Sequence, residues 1–130
     1  GISYSSLNKT KIQLIKGDDF IKENKIEKID FLKLDLEGAE FEALKGFEES
    51  IKKGIIRAIQ FEYGYINIST RKLLIDYFNF FEKNNYITGK IYPKKVEFKK
   101  YDIIDENFIG PNYIAVLKTD SEIISLLSQK

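Results

Sequence analysis

The sequence predicts a single-domain α/β fold, and three observations carry that prediction. Two strand-like stretches, residues 28–36 and 55–63, flank an amphipathic helical stretch at 39–53, the strand–helix–strand order of a parallel crossover. The second strand is nearly continuous apolar residue, as a strand covered on both faces would be. The chain is 130 residues long and 43% hydrophobic, and its ten Phe and eight Tyr suffice for one core.

Taken in order, residues 1–10 are Ser-rich and polar and read as loop. Lys11-Ile12-Gln13-Leu14-Ile15 alternates enough for a short strand. Gly17-Asp18-Asp19 breaks it and offers an N-cap for a short helix over Phe20–Lys25. The next stretch organises the rest. Leu32, Leu34 and Leu36 alternate with Phe31, Lys33, Asp35 and Glu37, so the period is two. The second set turns from apolar to charged toward its carboxyl end, so the strand is expected to start in a core and end at a site. A lysine at position 33 of a covered strand needs a carboxylate, and Asp35 and Glu62 are the candidates. Gly38 permits a sharp turn, and Ala39-Glu40-Phe41 opens the following helix with acid in its first turn. Phe41, Leu44 and Ile51 give that helix an apolar face, Gly46 weakens its middle and Gly54 stops it.

The strand at 55–63 ends in Glu62-Tyr63, again placing polar groups at a carboxyl end. Residues 64–69 read as loop, and Ser69 or Thr70 caps a helix from Arg71 to Lys83. Leu74, Tyr77, Phe78 and Phe81 recur at helical spacing, a core stripe rather than a cofactor box. Asn84-Asn85 stops that helix. Tyr86–Tyr92 is a third strand closed by Pro93, and a short strand is expected near Val96–Phe98 within an otherwise irregular stretch reaching Phe108. Gly110-Pro111-Asn112 is a turn, Tyr113–Leu117 the last strand, and Asp120 or Ser121 caps a closing helix carrying Ile123, Ile124 and Leu127.

Composition narrows the function. Lys plus Arg number 21 and Asp plus Glu 20, for a net charge of +1, which argues against a nucleic-acid partner held by bulk charge. The chain has no Cys and no His, which excludes disulfides, thiolate chemistry, His-based triads and imidazole metal sites. No apolar run spans a bilayer and no secretory signal is present, so a cytoplasmic setting is the default expectation.

Asp30-Phe31-Leu32-Lys33-Leu34-Asp35-Leu36-Glu37-Gly38-Ala39-Glu40 resembles the signature of the FkbM-family methyltransferases, D-(hydrophobic)2-K-(I/L)-D-(V/L)-E-G-x-E. Leu44-Lys45-Gly46, Gln60-Phe61-Glu62, Ser5-Ser6-Leu7 and Asp18-Asp19-Phe20 resemble flanking segments of that family, with Lys16-Gly17 departing from its T-L. The resemblance implies the carboxyl-terminal half of a Rossmann-like sheet, mostly parallel with the last strand antiparallel and helices on both faces. It implies S-adenosylmethionine as cofactor and a small-molecule or glycan hydroxyl as acceptor. Asp35, Glu37 and Glu62 are then the catalytic candidates, and Asp35, Leu36 and Gly38 the candidate cofactor contacts. Glu37 and Glu40 line the mouth as structural acids or acceptor ligands. No glycine-rich loop precedes the organising strand. The chain is therefore expected to be one domain, 1–130, lacking the amino-terminal cofactor-binding half and inactive by itself.

Bland readings stand beside these. Asp35 can cap the next helix, Glu37 and Glu40 can serve its first turn, and Glu62 can pair with Lys33. Two other functions remain open: a hard cation such as Mg²⁺ held by Asp35, Glu37, Glu40 and Glu62, and a non-catalytic interaction module. In the second case a bare edge on the organising strand would allow a homodimer.

Overall fold

The computed structural model describes residues 9–129. The Ser5-Ser6-Leu7 segment lies outside the described residues. The elements run α1 (Gly17–Glu23), β1 (Ile29–Leu34), α2 (Glu40–Gly46), α3 (Glu48–Lys52), β2 (Ile56–Phe61), α4 (Ile66–Thr70), α5 (Leu74–Lys83), β3 (Tyr86–Tyr92), β4 (Lys95–Phe98), a 3₁₀ turn (Ile103–Asp105), β5 (Tyr113–Leu117) and α6 (Ser121–Ser128).

The five strands form one sheet in the order β1-β2-β5-β3-β4. β1 and β2 are parallel, whereas β2·β5, β5·β3 and β3·β4 are antiparallel. The sheet is therefore mixed, correcting the expectation of a mostly parallel one. The cause is local. Pro93-Lys94 closes a tight β3–β4 hairpin, and β5 inserts between β2 and β3 against the direction of both. The antiparallel last strand itself was expected.

Alternation along β5 divides the molecule into layers. Tyr113 and Ala115 join the larger apolar cluster, with Leu44 and Ile51 of α2 and α3 and Leu74, Tyr77, Phe78 and Phe81 of α5. Ile114 and Val116 face the other cluster, covered by Ile123, Ile124 and Leu127 of α6. Helices thus cover both faces, and the aromatic stripe is core as expected. The Phe61 and Tyr77 rings stack at 4.5 Å, and the buried Tyr86 hydroxyl donates to the Ile56 carbonyl at 2.6 Å.

Several local expectations change. Residues 11–15 form no strand; Leu14 is 86% exposed, because no described strand pairs with them. α1 begins at Gly17, so Asp18 lies inside the helix it was expected to cap. Its carboxylate instead accepts from the Glu49 and Ser50 N–H groups at 3.0 and 2.9 Å and from the Ser50 hydroxyl at 2.6 Å, so it caps α3. The helix expected over 39–53 breaks at Phe47, just after the glycine that weakens it. Residues 66–69, expected as loop, form α4 together with Thr70, and the helix ends where Arg71 turns left-handed at φ 56°. Gly54 at φ 68° and Asn85 at φ 67° stop their helices as expected. Among the described residues no helix is long and apolar enough to cross a membrane.

Candidate functional site

The parallel pairing of β1 with β2 builds the site. Leu34 stands opposite Phe61, so the next residues, Asp35 and Glu62, leave the sheet side by side. Oxygen atoms of Asp35, Glu37 and Glu62 lie within 4.8 Å of one another. The three sequence-predicted acids are therefore brought together, at the carboxyl end of the parallel pair.

β1 is not the covered strand expected. Among the described residues it is the edge of the sheet, Phe31 is 51% exposed, and within the strand only Leu34 is buried. That exposure lets Lys33 remain solvated while it pairs with Asp35 at 3.3 Å. Glu62 takes no part in that ion pair, so its bland reading fails. Its Oε2 is buried without a hydrogen-bond partner. Burial first, and then the charges of Asp35, Glu37 and Glu40, push the Glu62 carboxyl above the usual range. A carboxyl so placed is held toward its protonated form.

The turn that holds these acids is locked by a fourth. Glu40 is 1% exposed, and its carboxylate accepts from Leu36 N–H at 2.7 Å and Gly38 N–H at 3.0 Å. Both central residues of the turn have positive φ, 52° at Glu37 and 107° at Gly38, and the Ala39 N–H closes it onto the Leu36 carbonyl at 3.3 Å. A Cβ at Gly38 would also meet Ile66 at 2.8 Å and Thr70 at 2.9 Å, so glycine serves both turn and packing. Glu40 is thus the structural acid of the pair named for the mouth, while Glu37 stays exposed. With their N–H groups given to Glu40, Leu36 and Gly38 have no backbone donor left for a ligand.

One acid near the site was missed in the sequence. Glu106 accepts from the Tyr63 hydroxyl at 2.8 Å, the Tyr101 hydroxyl at 3.2 Å and the first N–H groups of α5 at Leu74 (2.8 Å) and Ile75 (3.1 Å). It anchors Tyr63, the residue after Glu62, and replaces the expected Ser69 or Thr70 cap of α5. Three of its four donors lie 31 or more residues away, so no local pattern signals it.

Residues 3–88 match the family model described as the methyltransferase FkbM domain, a span that contains the acidic turn and both parallel strands. The chain belongs to the FkbM methyltransferase family. No curated protein and no solved structure matches it. In this FkbM domain, the signature acids divide by geometry: Asp35, Glu37 and Glu62 form the cluster, and Glu40 builds the turn beneath it.

The Glu62 environment has a measurable consequence. Its raised carboxyl means that the folded state holds this proton more tightly than the unfolded chain does. Its stabilising contribution is complete below the ordinary value of 4.5 and is lost as pH climbs through the raised one, opposite to a salt-bridged carboxylate. Glu62→Gln, which keeps the shape without the charge, is expected to match the wild type in acid and to exceed it at pH 7 by about 1 kcal/mol. Thermal melts across pH 4–8 check this; a variant less stable at neutral pH would show that Glu62 is ionised and usefully paired.

Proposed function

We propose that this FkbM domain is the acceptor-side part of an S-adenosylmethionine-dependent methyltransferase, built on a Rossmann-like sheet and acting on a hydroxyl of a sugar or natural product. The observation that carries the proposal is the convergence of Asp35, Glu37 and Glu62 at the carboxyl ends of a parallel strand pair in a chain of this family.

The residues present fit such a cofactor. A sulfonium is cationic, the three gathered side chains are acids, and the buried Glu62 Oε2 lacks a partner. When bound, the cofactor supplies an electrophilic methyl group. Asp35, at the carboxyl end of β1, is the carboxylate that would accept the proton of an acceptor hydroxyl. Lys33, 3.3 Å from it, holds that carboxylate in place. Glu62, held toward its protonated form by burial and the neighbouring acids, limits how much negative charge the mouth carries. Glu37, exposed on the left-handed residue of the turn, is free to hydrogen-bond acceptor hydroxyls.

In this reading the donor pocket has a further wall along the open edge of β1, carrying the glycine-rich loop that residues 9–129 do not supply. Calorimetry with S-adenosylhomocysteine tests it. Heat of binding is expected from a longer chain bearing that loop and not from the 130 residues alone. Equal tight binding by both would refute the shared wall, and silence from the longer chain would refute the cofactor.

A second reading has its own observation, the 4.8 Å grouping of three carboxylate ligands, which suits a hard cation such as Mg²⁺. Saturable Mg²⁺ binding lost in Asp35→Asn, without S-adenosylhomocysteine binding, would favour it. The edge of β1 is also where two copies would pair. An edge-to-edge dimer indifferent to both ligands would replace the enzyme by an interaction module.

A further inference from the structure

A cavity of about 510 Å³ opens between α5, the first residues of β3 and the segment after β4. It lies apart from the acids. β5 runs against both β2 and β3, so β3 shares the direction of β1 and β2. The cavity borders Ile87 and Thr88 near the amino end of β3, whereas the acids leave the carboxyl ends of β1 and β2.

Its walls are of two kinds. Phe78 and the Tyr101 ring supply an apolar side. The Tyr101 ring is fixed, edge-on to Phe78 at 5.7 Å, with its hydroxyl donating to Glu106 at 3.2 Å. The other side is basic, with Lys99, Lys100 and Lys118. Lys99 is placed by its own N–H, which donates to the Thr88 carbonyl at 3.1 Å.

The charge count leaves this side positive. Lys118 is balanced by Glu82, the one acid lining the cavity, at 2.6 Å. Lys99 shares the single carboxylate of Asp105 with Lys90, at 2.6 and 2.7 Å, so one ammonium charge of that pair is unbalanced. Lys100 joins no ion pair among the described residues. The volume is that of a small-ligand site, and lysines bind phosphate as point charges.

We propose that this cavity binds a small ring-bearing phosphomonoester, its ring against Phe78 and Tyr101 and its phosphate among Lys99, Lys100 and Lys118. A phosphomonoester dianion matches the surplus charge, and the fixed aromatic wall selects a flat apolar body over a hydrated ion.

The test is a titration of the isotopically labelled 130-residue chain with phenyl phosphate, followed by amide shifts. Saturable shifts are expected at Thr88, Lys99, Lys100 and Tyr101, at millimolar concentration or below. Phenol, benzoate and inorganic phosphate serve as the apolar, monoanionic and ring-free controls, each expected to bind at least about tenfold more weakly. Lys100→Glu, at an exposed position outside any ion pair, is expected to fold normally and to weaken phenyl phosphate by about tenfold. Raising salt from about 0.05 to 0.5 M should weaken it further in the wild type. No saturation by about 10 mM phenyl phosphate overturns the proposal. So does phenol or inorganic phosphate binding equally well, or a Lys100→Glu variant that binds as the wild type does. Equal binding of benzoate overturns the dianion assignment.

Discussion

Asp105→Ala is expected to cost about 3–5 kcal/mol of folding stability, lowering the thermal midpoint by roughly 10–15 °C. Asp105 is 3% exposed in the 3₁₀ turn between β4 and β5 and is gripped by two ammonium groups, Lys90 from β3 at 2.7 Å and Lys99 from the segment after β4 at 2.6 Å. The Lys90 side chain is 12% exposed and that of Lys99 24%. Removing the carboxylate leaves two like charges facing a small hole with little water to solvate them, the situation in which breaking a buried pair is most expensive. It also releases the turn that carries Glu106, the anchor of Tyr63 and of the first turn of α5.

The pH profile separates this explanation from a simple cavity effect. Burial raises the Asp105 carboxyl, and the hydrogen bonds of Lys90 and Lys99 outweigh it, so the net shift is downward. A lowered folded value gives stability that is present above the ordinary value of 3.8 and is lost as pH falls through the folded one. Its hydrogen bond to Asp105, opposed by desolvation, raises Lys90, whose contribution is present below 10.5 and is lost as pH rises through its raised value. The penalty of Asp105→Ala should therefore be full between those limits and shrink at both ends, as chemical denaturation at several pH values can show. A penalty independent of pH would mean lost packing rather than lost charge.

What was legible in the sequence follows the range of the interaction that decides each feature. Leu74, Tyr77, Phe78 and Phe81 are core because a 3.6-residue period is written locally, and the aromatic side of α5 has one place to go. The alternation around Leu34 gave β1, and the run at 56–61 gave β2. Asp35 and Glu62 could be paired from sequence because each ends its strand and neighbouring parallel strands end together. The rest depends on partners distant in the chain. The antiparallel β5 was expected, but its insertion between β2 and β3, with the β3–β4 hairpin beyond it, makes the sheet mixed, and no local pattern records that order. Asp18 reads as the cap of its own helix, yet it caps α3 thirty-one and thirty-two residues later. Residues 11–15 alternate as a strand does, but alternation describes a surface that a strand can use and does not supply the neighbour it needs. Glu106 collects four donors from three separate segments, so its importance exists only in the fold.

Glu40→Ala is expected to cost about 2–4 kcal/mol and, more tellingly, to disperse the acid cluster. The signature carries two glutamates, at 37 and 40, which composition cannot distinguish. Their surroundings do. Glu37 is exposed, whereas Glu40 is the first residue of α2, fully buried, and satisfies the Leu36 and Gly38 N–H groups with its two oxygens. Both bonds are charge-assisted and lie beside the positive end of a helix, so each is stronger than a neutral one. Alanine leaves two amides unpaired in a turn whose central residues already hold positive φ, and the turn then has less to keep it in that strained form. Amide hydrogen exchange should show protection lost first at Leu36 and Gly38. Glu40→Gln keeps the volume and one acceptor but turns an NH₂ toward the second amide, so its loss should fall between the wild type and alanine. The Glu62 carboxyl supplies the functional readout, because it is raised in part by Asp35 and Glu37 held close. If Glu40 shapes the site through the turn, Glu40→Ala should let Glu62 titrate nearer its ordinary 4.5, followed by carboxyl carbon shifts against pH. Charge removal alone gives a smaller fall, since Glu40 ranks behind both other acids among the charges acting on Glu62, and Glu40→Gln, which removes the charge and keeps much of the turn, measures that part. Equal titration of Glu62 in the two variants would show that the turn survives without its carboxylate.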